Sequence, residues 1–356
     1  MALMAGVAGC SPAKGGGDAK AAEVAPSVVA VPVAPRVIGK GDAEKVFNEY
    51  AFSHSVAEGK ADAVRIATLE TGALLEESKA RYARSVAQAD YGRGSDTFTR
   101  PVFVIPMEGE QPGYPRSFAV FSKRDGGPRD RATAVHYFTQ GEAGGPWLAA
   151  AVSWVNGDAA VAGAPDRSPY EQLGLKVRDK EIAAPRAEPE AGGGVLSATA
   201  GEDRKVCGRY AEYMTFTAPR GERESEHFVP GPLTSEVVGV FNERDDQVDG
   251  LVRHRFAYEV AGAELPVVKL ADGASLVTCT YVQTSHQENK AETNWFTFKK
   301  GSPIDDMLGG GGRHWADVKS RYAVTVVFEV PPQGPAAVVA SNSLAPQLLS
   351  AEGTRG

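Results

Sequence analysis

Tyr50 and His54 stand four residues apart, and His136 and Tyr137 stand side by side. A phenol and an imidazole held together can relay a proton, so each pair is a candidate for acid/base work on a ligand that enters an apolar cavity. The first pair falls on one face of a helix and the second on a strand. Tyr50, His54, His136 and Tyr137 are therefore the candidate catalytic residues. The same residue types at helical spacing also serve as core and rim, and that alternative stands beside the catalytic one. The remaining histidines, His227, His254, His286 and His314, are scattered, with neither HExxH nor a paired ligand spacing, so no metal site is expected.

Two further stretches touch on known chemistry without completing it. Gly309 to Gly312 is a run of four glycines that lacks the Lys and Ser/Thr of a phosphate loop, and it reads as a flexible loop. Gly273-Ala274-Ser275-Leu276-Val277 follows the nucleophile-elbow pattern until its last position, where Val stands in place of Gly. Ser275 is expected instead to open a strand after an Asp272-Gly273 turn. No cofactor motif is present, and no cofactor is expected.

Cys10 closes the stretch Val7-Ala8-Gly9-Cys10, "VAGC", and the chain continues as "SPAKGGGDAK". A short apolar run ending in small residues is how secretory signals finish. The stretch resembles the bacterial lipobox, in which an aliphatic residue and two small residues precede a cysteine. The resemblance implies that Val7, Ala8 and Gly9 are recognition positions and that the Cys10 thiol is alkylated with diacylglycerol. Cleavage before Cys10 then frees an amine for acylation. A thiolate suits this role as nucleophile. One acyl chain holds a protein only marginally, at about 10⁴ M⁻¹, whereas two or three on one residue give stable residence. The implied location is the extracytoplasmic face of the cell membrane. With Cys10 so used, Cys207 and Cys279 remain. Cys279 shares a strand face with Val277 and Tyr281, the face expected against the helix that carries Cys207. The two are either a disulfide or a pair of buried free thiols.

Composition narrows the partners. The 356 residues carry 38 basic and 45 acidic side chains, a net charge of −7, which gives no global support to nucleic-acid binding and would be repelled by anionic headgroups. The longest apolar run, Trp147 to Val155, falls far short of the roughly 20 residues needed to cross a bilayer. The expected partners are the membrane, through a lipid anchor, and an envelope protein or small ligand, with no nucleic acid.

The elements that must position these residues fall into two similar halves. Residues 1–10 read as a partial signal peptide with the lipobox, and 11–40, Gly-rich then Pro/Val/Ala-rich, as a disordered tether spanning about 30 Å. Residues 41–156 read as an α+β domain. Asp42 caps a first helix whose Phe47, Tyr50, Ala51 and His54 share a face, a second helix covers Ala73–Ala87, and four strands follow from Val102. Residues 157–202, with "AAPRAEPEAGGG", read as a linker. Residues 203–343 form a second α+β domain, with helices near Val206–Phe216 and Thr234–Val248. Strands are expected over Leu251–Val260, Pro266–Leu270, Ser275–Gln283, Asn294–Lys299 and Tyr322–Val330, and 344–356 as a tail. The fold class is α+β, two successive helix-then-antiparallel-sheet domains, because the connections are too short for parallel crossovers.

In the first half this order, with its leading amphipathic helix and Trp147 at the head of the last strand, resembles the nuclear transport factor two-like, or SnoaL-like, cone. The whole chain resembles a family of uncharacterised actinobacterial lipoproteins through "VAGC", "ATLETGALLEES" (67–78), "VVKLADGASLVTCTY" (267–281) and "VVFEVPPQGPAAVVA" (326–340). That resemblance implies location and no activity. The function expected is that of a lipid-anchored, extracytoplasmic, non-enzymatic protein that binds a ligand or partner. The alternatives are an enzyme with an acid/base site in a cone-shaped cavity and a transporter-associated solute-binding lipoprotein. The last of these calls for alternating helices and parallel strands, which the sequence lacks.

Overall fold

The structure, a computed structural model, describes residues 35–88, 97–125, 133–155, 201–247, 251–262, 264–291, 295–341 and 346–356. Cys10, Val7, Ala8 and Gly9, the tether as far as residue 34, and almost all of the 157–202 linker lie outside the described residues. Residues from Ala34 to Gly356 make one compact unit. The chain runs α1 (Lys40–Lys60), α2 (Ala63–Ile66), α3 (Gly72–Gln88), then β1 (Thr97–Val104), β2 (Arg116–Asp125), β3 (Thr133–Gln140) and β4 (Trp147–Val155). It resumes with α4 (Gly201–Tyr213), β5 (Phe216–Thr217), a π turn at Pro232–Glu236, α5 (Val237–Gln247), β6 (Val252–Val260), β7 (Val268–Lys269) and β8 (Ser275–Asn289). The last elements are α6 (Pro303–Met307), β9 (Trp315–Val330), β10 (Ala337–Ser341) and β11 (Gln347–Arg355).

The first four strands form an antiparallel meander in the order β1-β2-β3-β4. Alternation along β2 and β3 gives this sheet two apolar faces. One face, with Phe118, Val120 and Phe138, packs on Phe47 and Tyr50 of α1. The other, with Ala119, Phe121, Val135 and Tyr137, packs on Leu276, Val327, Val339 and Ala340 of the second sheet. A bulge between Tyr137 and Phe138 sends Ala149 to the first face and Ala151 to the second.

The second sheet is built on the long antiparallel pair β8 and β9, with β6 beside β8 and both β10 and β11 on the free edge of β9. Its outer face, Val277, Cys279, Tyr281, Val324, Val326 and Phe328, is covered by Val206 and Tyr210 of α4 and Val237 and Val238 of α5. The layers are thus helix, sheet, sheet, helix, all sheet pairing between the named strands is antiparallel, and the class is α+β. The inner face of each sheet, which a free-standing half would expose, is buried against the other half. Helix α3 lies at the margin, against β4 of one sheet and β11 and β9 of the other.

Helix α4 is fastened to β8 in register. Asp203, Cys207 and Tyr210 recur at helical spacing and so share a face, while Ser275, Cys279 and Tyr281 share a strand face. Ser275 donates to Asp203 Oδ2 at 2.7 Å, and Lys269 Nζ donates to both Asp203 Oδ2 and Ser275 Oγ at 2.6 Å. Cys207 and Cys279 are disulfide-bonded, with Cα atoms 5.6 Å apart, and Tyr281 Oη donates to the Cys207 carbonyl at 3.2 Å. Ser275 is 1% exposed and its hydroxyl is fully engaged, which makes it a fastener in the core and not a nucleophile. Ser275→Ala is expected to lower the unfolding free energy in urea by about 1 kcal/mol, with Lys269 and Asp203 keeping each other's charge paired.

Three local expectations are corrected. Helix α1 begins at Lys40 with Gly39 as its cap, so Asp42 lies inside the first turn and pairs with Lys45 at 2.9 Å. Of the strand expected over Asn294–Lys299, Asn294 lies outside the described residues, and among 295–299 only Phe296 pairs, with Trp315. The expected tail contains β11, which pairs with β9 from Ala323 down to Trp315. The glycine run, expected as a loop, is one. Gly309, Gly310, Gly311 and Gly312 have φ of 94°, 67°, 92° and 63°, a path only glycine follows without strain. It wraps the buried Asp305, whose Oδ1 accepts from the Gly312 N–H and whose Oδ2 accepts from the Gly301 N–H, both at 3.0 Å.

Candidate functional site

The helical pair meets a partner that the sequence reading did not single out. Tyr50 Oη donates to Glu70 Oε1 at 3.1 Å, and His54 Nε2 stands 3.5 Å from the same oxygen. Glu70 is held there by its backbone, which runs along the edge of β4. The Thr71 N–H donates to the Ala149 carbonyl at 2.9 Å, and the Ala149 N–H donates to the Leu69 carbonyl at 2.8 Å. This clip turns a carboxylate from the short link between α2 and α3 inward, where it is 1% exposed. Arg81 of α3 closes the cluster, with Nη2 3.9 Å from Glu58 Oε1 and donating to Ser78 Oγ at 3.4 Å.

Burial governs the protonation of this cluster. It pushes the Glu70 carboxyl up to about 7, although Ser78, Arg81 and Tyr50 pull the other way. Burial, reinforced by the Arg81 charge, lowers His54 to about 4, so its imidazole is neutral at neutral pH. The Tyr50 phenol is raised well above its ordinary value, first by burial and then by the Glu70 charge. The arrangement can hold and release one proton near neutrality, and the group that does so is Glu70.

His136 and Tyr137 do not act together. Adjacent strand residues point to opposite faces, so His136 enters the core under α1 and Tyr137 the core between the sheets. His136 is fully buried, with the rings of Phe98, Phe47 and Phe138 centred 4.7, 5.3 and 6.4 Å from its own. Neither of its nitrogens has a partner with hydrogen-bond geometry among the described residues, and burial lowers it to about 3 despite the opposing pull of the Val120 backbone. Tyr137 accepts a hydrogen bond from Thr278 at 2.9 Å and is pushed up to about 12 by burial. Tyr50, His54 and His136 are brought together, with ring centres of the two histidines 5.3 and 5.9 Å from that of Tyr50, and Tyr137 is set apart. No group of three metal-ligating side chains occurs among the described residues.

A second feature lies on the other side of α3. A groove of about 690 Å³ runs between α3 and the second sheet, lined by Leu75 and Lys79 of α3, Val282 of β8, Arg321 and Ala323 of β9, and Leu349 of β11. A smaller hollow of about 200 Å³, lined by Leu148, Ala150 and Leu265, shares Gly72, Ala73 and Gly262 with it. Tyr50, His54, Glu70 and His136 line neither.

The model of a domain of unknown function, DUF8094, matches residues 34–345, nearly the whole compact unit. The chain belongs to that family. No curated protein and no solved structure matches it. The DUF8094 match ends two residues before β11 begins, so the strand that supplies Leu349 to the groove lies beyond it. The first sheet, the second sheet apart from β11, the disulfide and the Glu70 cluster fall within DUF8094. No helix among the described residues is long and apolar enough to cross a membrane.

Proposed function

We propose that this DUF8094 protein is tethered by lipid at Cys10 to the extracytoplasmic face of the cell membrane, and that its folded unit binds a ligand in the groove beside α3. The observation that carries the location is the Cys207–Cys279 disulfide, since such bonds persist in oxidising compartments outside the cytoplasm. The one other cysteine is Cys10, in "VAGC". Binding rather than catalysis is favoured because the groove and the Glu70 cluster lie apart, so the group with a proton to give does not line the groove. The antiparallel sheets give no support to a solute-binding protein of the parallel-sheet kind.

The test is fractionation of cells expressing the full reading frame. Wild-type protein is expected with the membranes and Cys10→Ser in the soluble fraction. A Cys10→Ser variant that still sediments wholly with membranes overturns the anchor.

A further inference from the structure

We propose that the groove beside α3 takes an amphipathic monocarboxylate, an apolar chain with one anionic head, bound with its head on Arg321 and its chain along Leu75, Val282 and Leu349. This rests on the ligand-binding reading above and names the class of ligand.

Three observations carry it. The groove is walled on its apolar side by Leu75 of α3, Val282 of β8 and Leu349 of β11. A volume of 690 Å³ lies inside the range of about 300–1,000 Å³ usual for small-molecule sites. Second, the strand and helix residues that face one another across the groove, Leu75, Ala80, Val282, Ala323 and Leu349, are apolar, so its wall suits a hydrocarbon chain. Third, the charge is at the mouth and is positive on balance. Lys79 is paired with Glu76 at 3.3 Å, whereas Arg321 is exposed and makes no ion pair or hydrogen bond among the described residues. A guanidinium matches a carboxylate with two parallel hydrogen bonds, which selects an anionic head over a neutral one.

The experiment uses the full chain carrying Cys10→Ser, so that no attached lipid competes, with cis-parinaric acid and its alcohol as fluorescent probes. Saturable binding of the acid is expected, and the alcohol is expected to bind at least about tenfold more weakly. Arg321→Ala should bring the acid down to the affinity of the alcohol. Ala73→Trp, at a half-exposed position of α3, should remove saturable binding with the melting temperature unchanged. Ala80→Trp, two turns further along the same face, serves if Ala73→Trp melts early, and it too should remove binding. The proposal is overturned if the wild type shows no saturable binding, if the tryptophan variants keep wild-type affinity, or if Arg321→Ala keeps the preference for the acid. None of these results depends on whether Cys10 carries lipid in the cell.

Discussion

Replacing Cys207 and Cys279 together by alanine lowers the unfolding free energy by about 4 kcal/mol, the chain-entropy value for closing a loop of this length. The bond spans 72 residues, so the unfolded chain without it gains a large set of conformations. Globular domains are stable by only about 5–15 kcal/mol, which makes this a large share of the total. In the native state the bond is one of four fasteners between α4 and β8, with the Tyr281 hydroxyl on the Cys207 carbonyl beside it. Asp203 with Ser275 holds one end, and Tyr210 against Tyr281, ring centres 5.7 Å apart, the other. Helix α4 should therefore keep its place at low denaturant, with the loss appearing as an earlier urea midpoint. Reduction of the wild type should add the mass of two hydrogens and shift its midpoint to that of the double variant. A double variant within about 1 kcal/mol of wild type would show that the unfolded chain is not appreciably constrained by the bond.

Glu70→Gln is expected to change how stability depends on pH. The Glu70 carboxyl is raised from 4.5 to about 7 in the folded protein, so between those values the folded state holds a proton that the unfolded state has lost. Its contribution is fully present below about 4.5 and is lost as pH rises through about 7. The shift corresponds to about 3 kcal/mol, which glutamine, neutral at every pH, does not forfeit. The variant should therefore match wild type near pH 4.5 and exceed it by up to about 3 kcal/mol at pH 8. His54 and His136, lowered to about 4 and about 3, contribute stability above 6.5 that fades on acidification. That opposite slope belongs to both proteins and cancels in the comparison. The groups facing Glu70 are Tyr50, His54 and Glu58 of α1 and Glu77, Ser78 and Arg81 of α3, and all remain in the variant. Urea unfolding from pH 4.5 to 8.5 measures the difference, and parallel curves for the two proteins would rule out Glu70 as the group titrating near neutrality.

Much of the scaffold was legible because local periodicity and turn chemistry were strong. Alternation marked β2, β3 and β4, Phe47 and Tyr50 marked the buried face of α1, and the Asp272-Gly273 turn set Ser275 at the head of β8. Two of the four acid/base candidates, Tyr50 and His54, stand together for a reason present in the sequence, since side chains four apart on a helix share a face. Glu70 was not legible. It sits in the link "TLET" between helices, where no period applies, and only the hydrogen bonds of its neighbours to Ala149 turn it inward. Strand β11, inside the expected tail at 344–356, is likewise not legible, because a strand whose residues from Ser350 onward are mostly exposed carries little apolar alternation, and its pairing depends on an edge of β9 that the sequence does not reveal.

By itself the sequence determined the α+β class, the antiparallel order of the strands, and the motif at Cys10, because each is written in residues that are close together in the chain. The tertiary structure alone decided that the two sheets share a core, that His136 meets Tyr50 under α1, that a glutamate is buried beside Tyr50 and His54, and that a groove opens between α3 and the second sheet. Those features join residues up to about 275 positions apart, such as Leu75 and Leu349. Contacts of that range follow from which faces remain to be buried once local structure has formed, and that is a property of the whole chain.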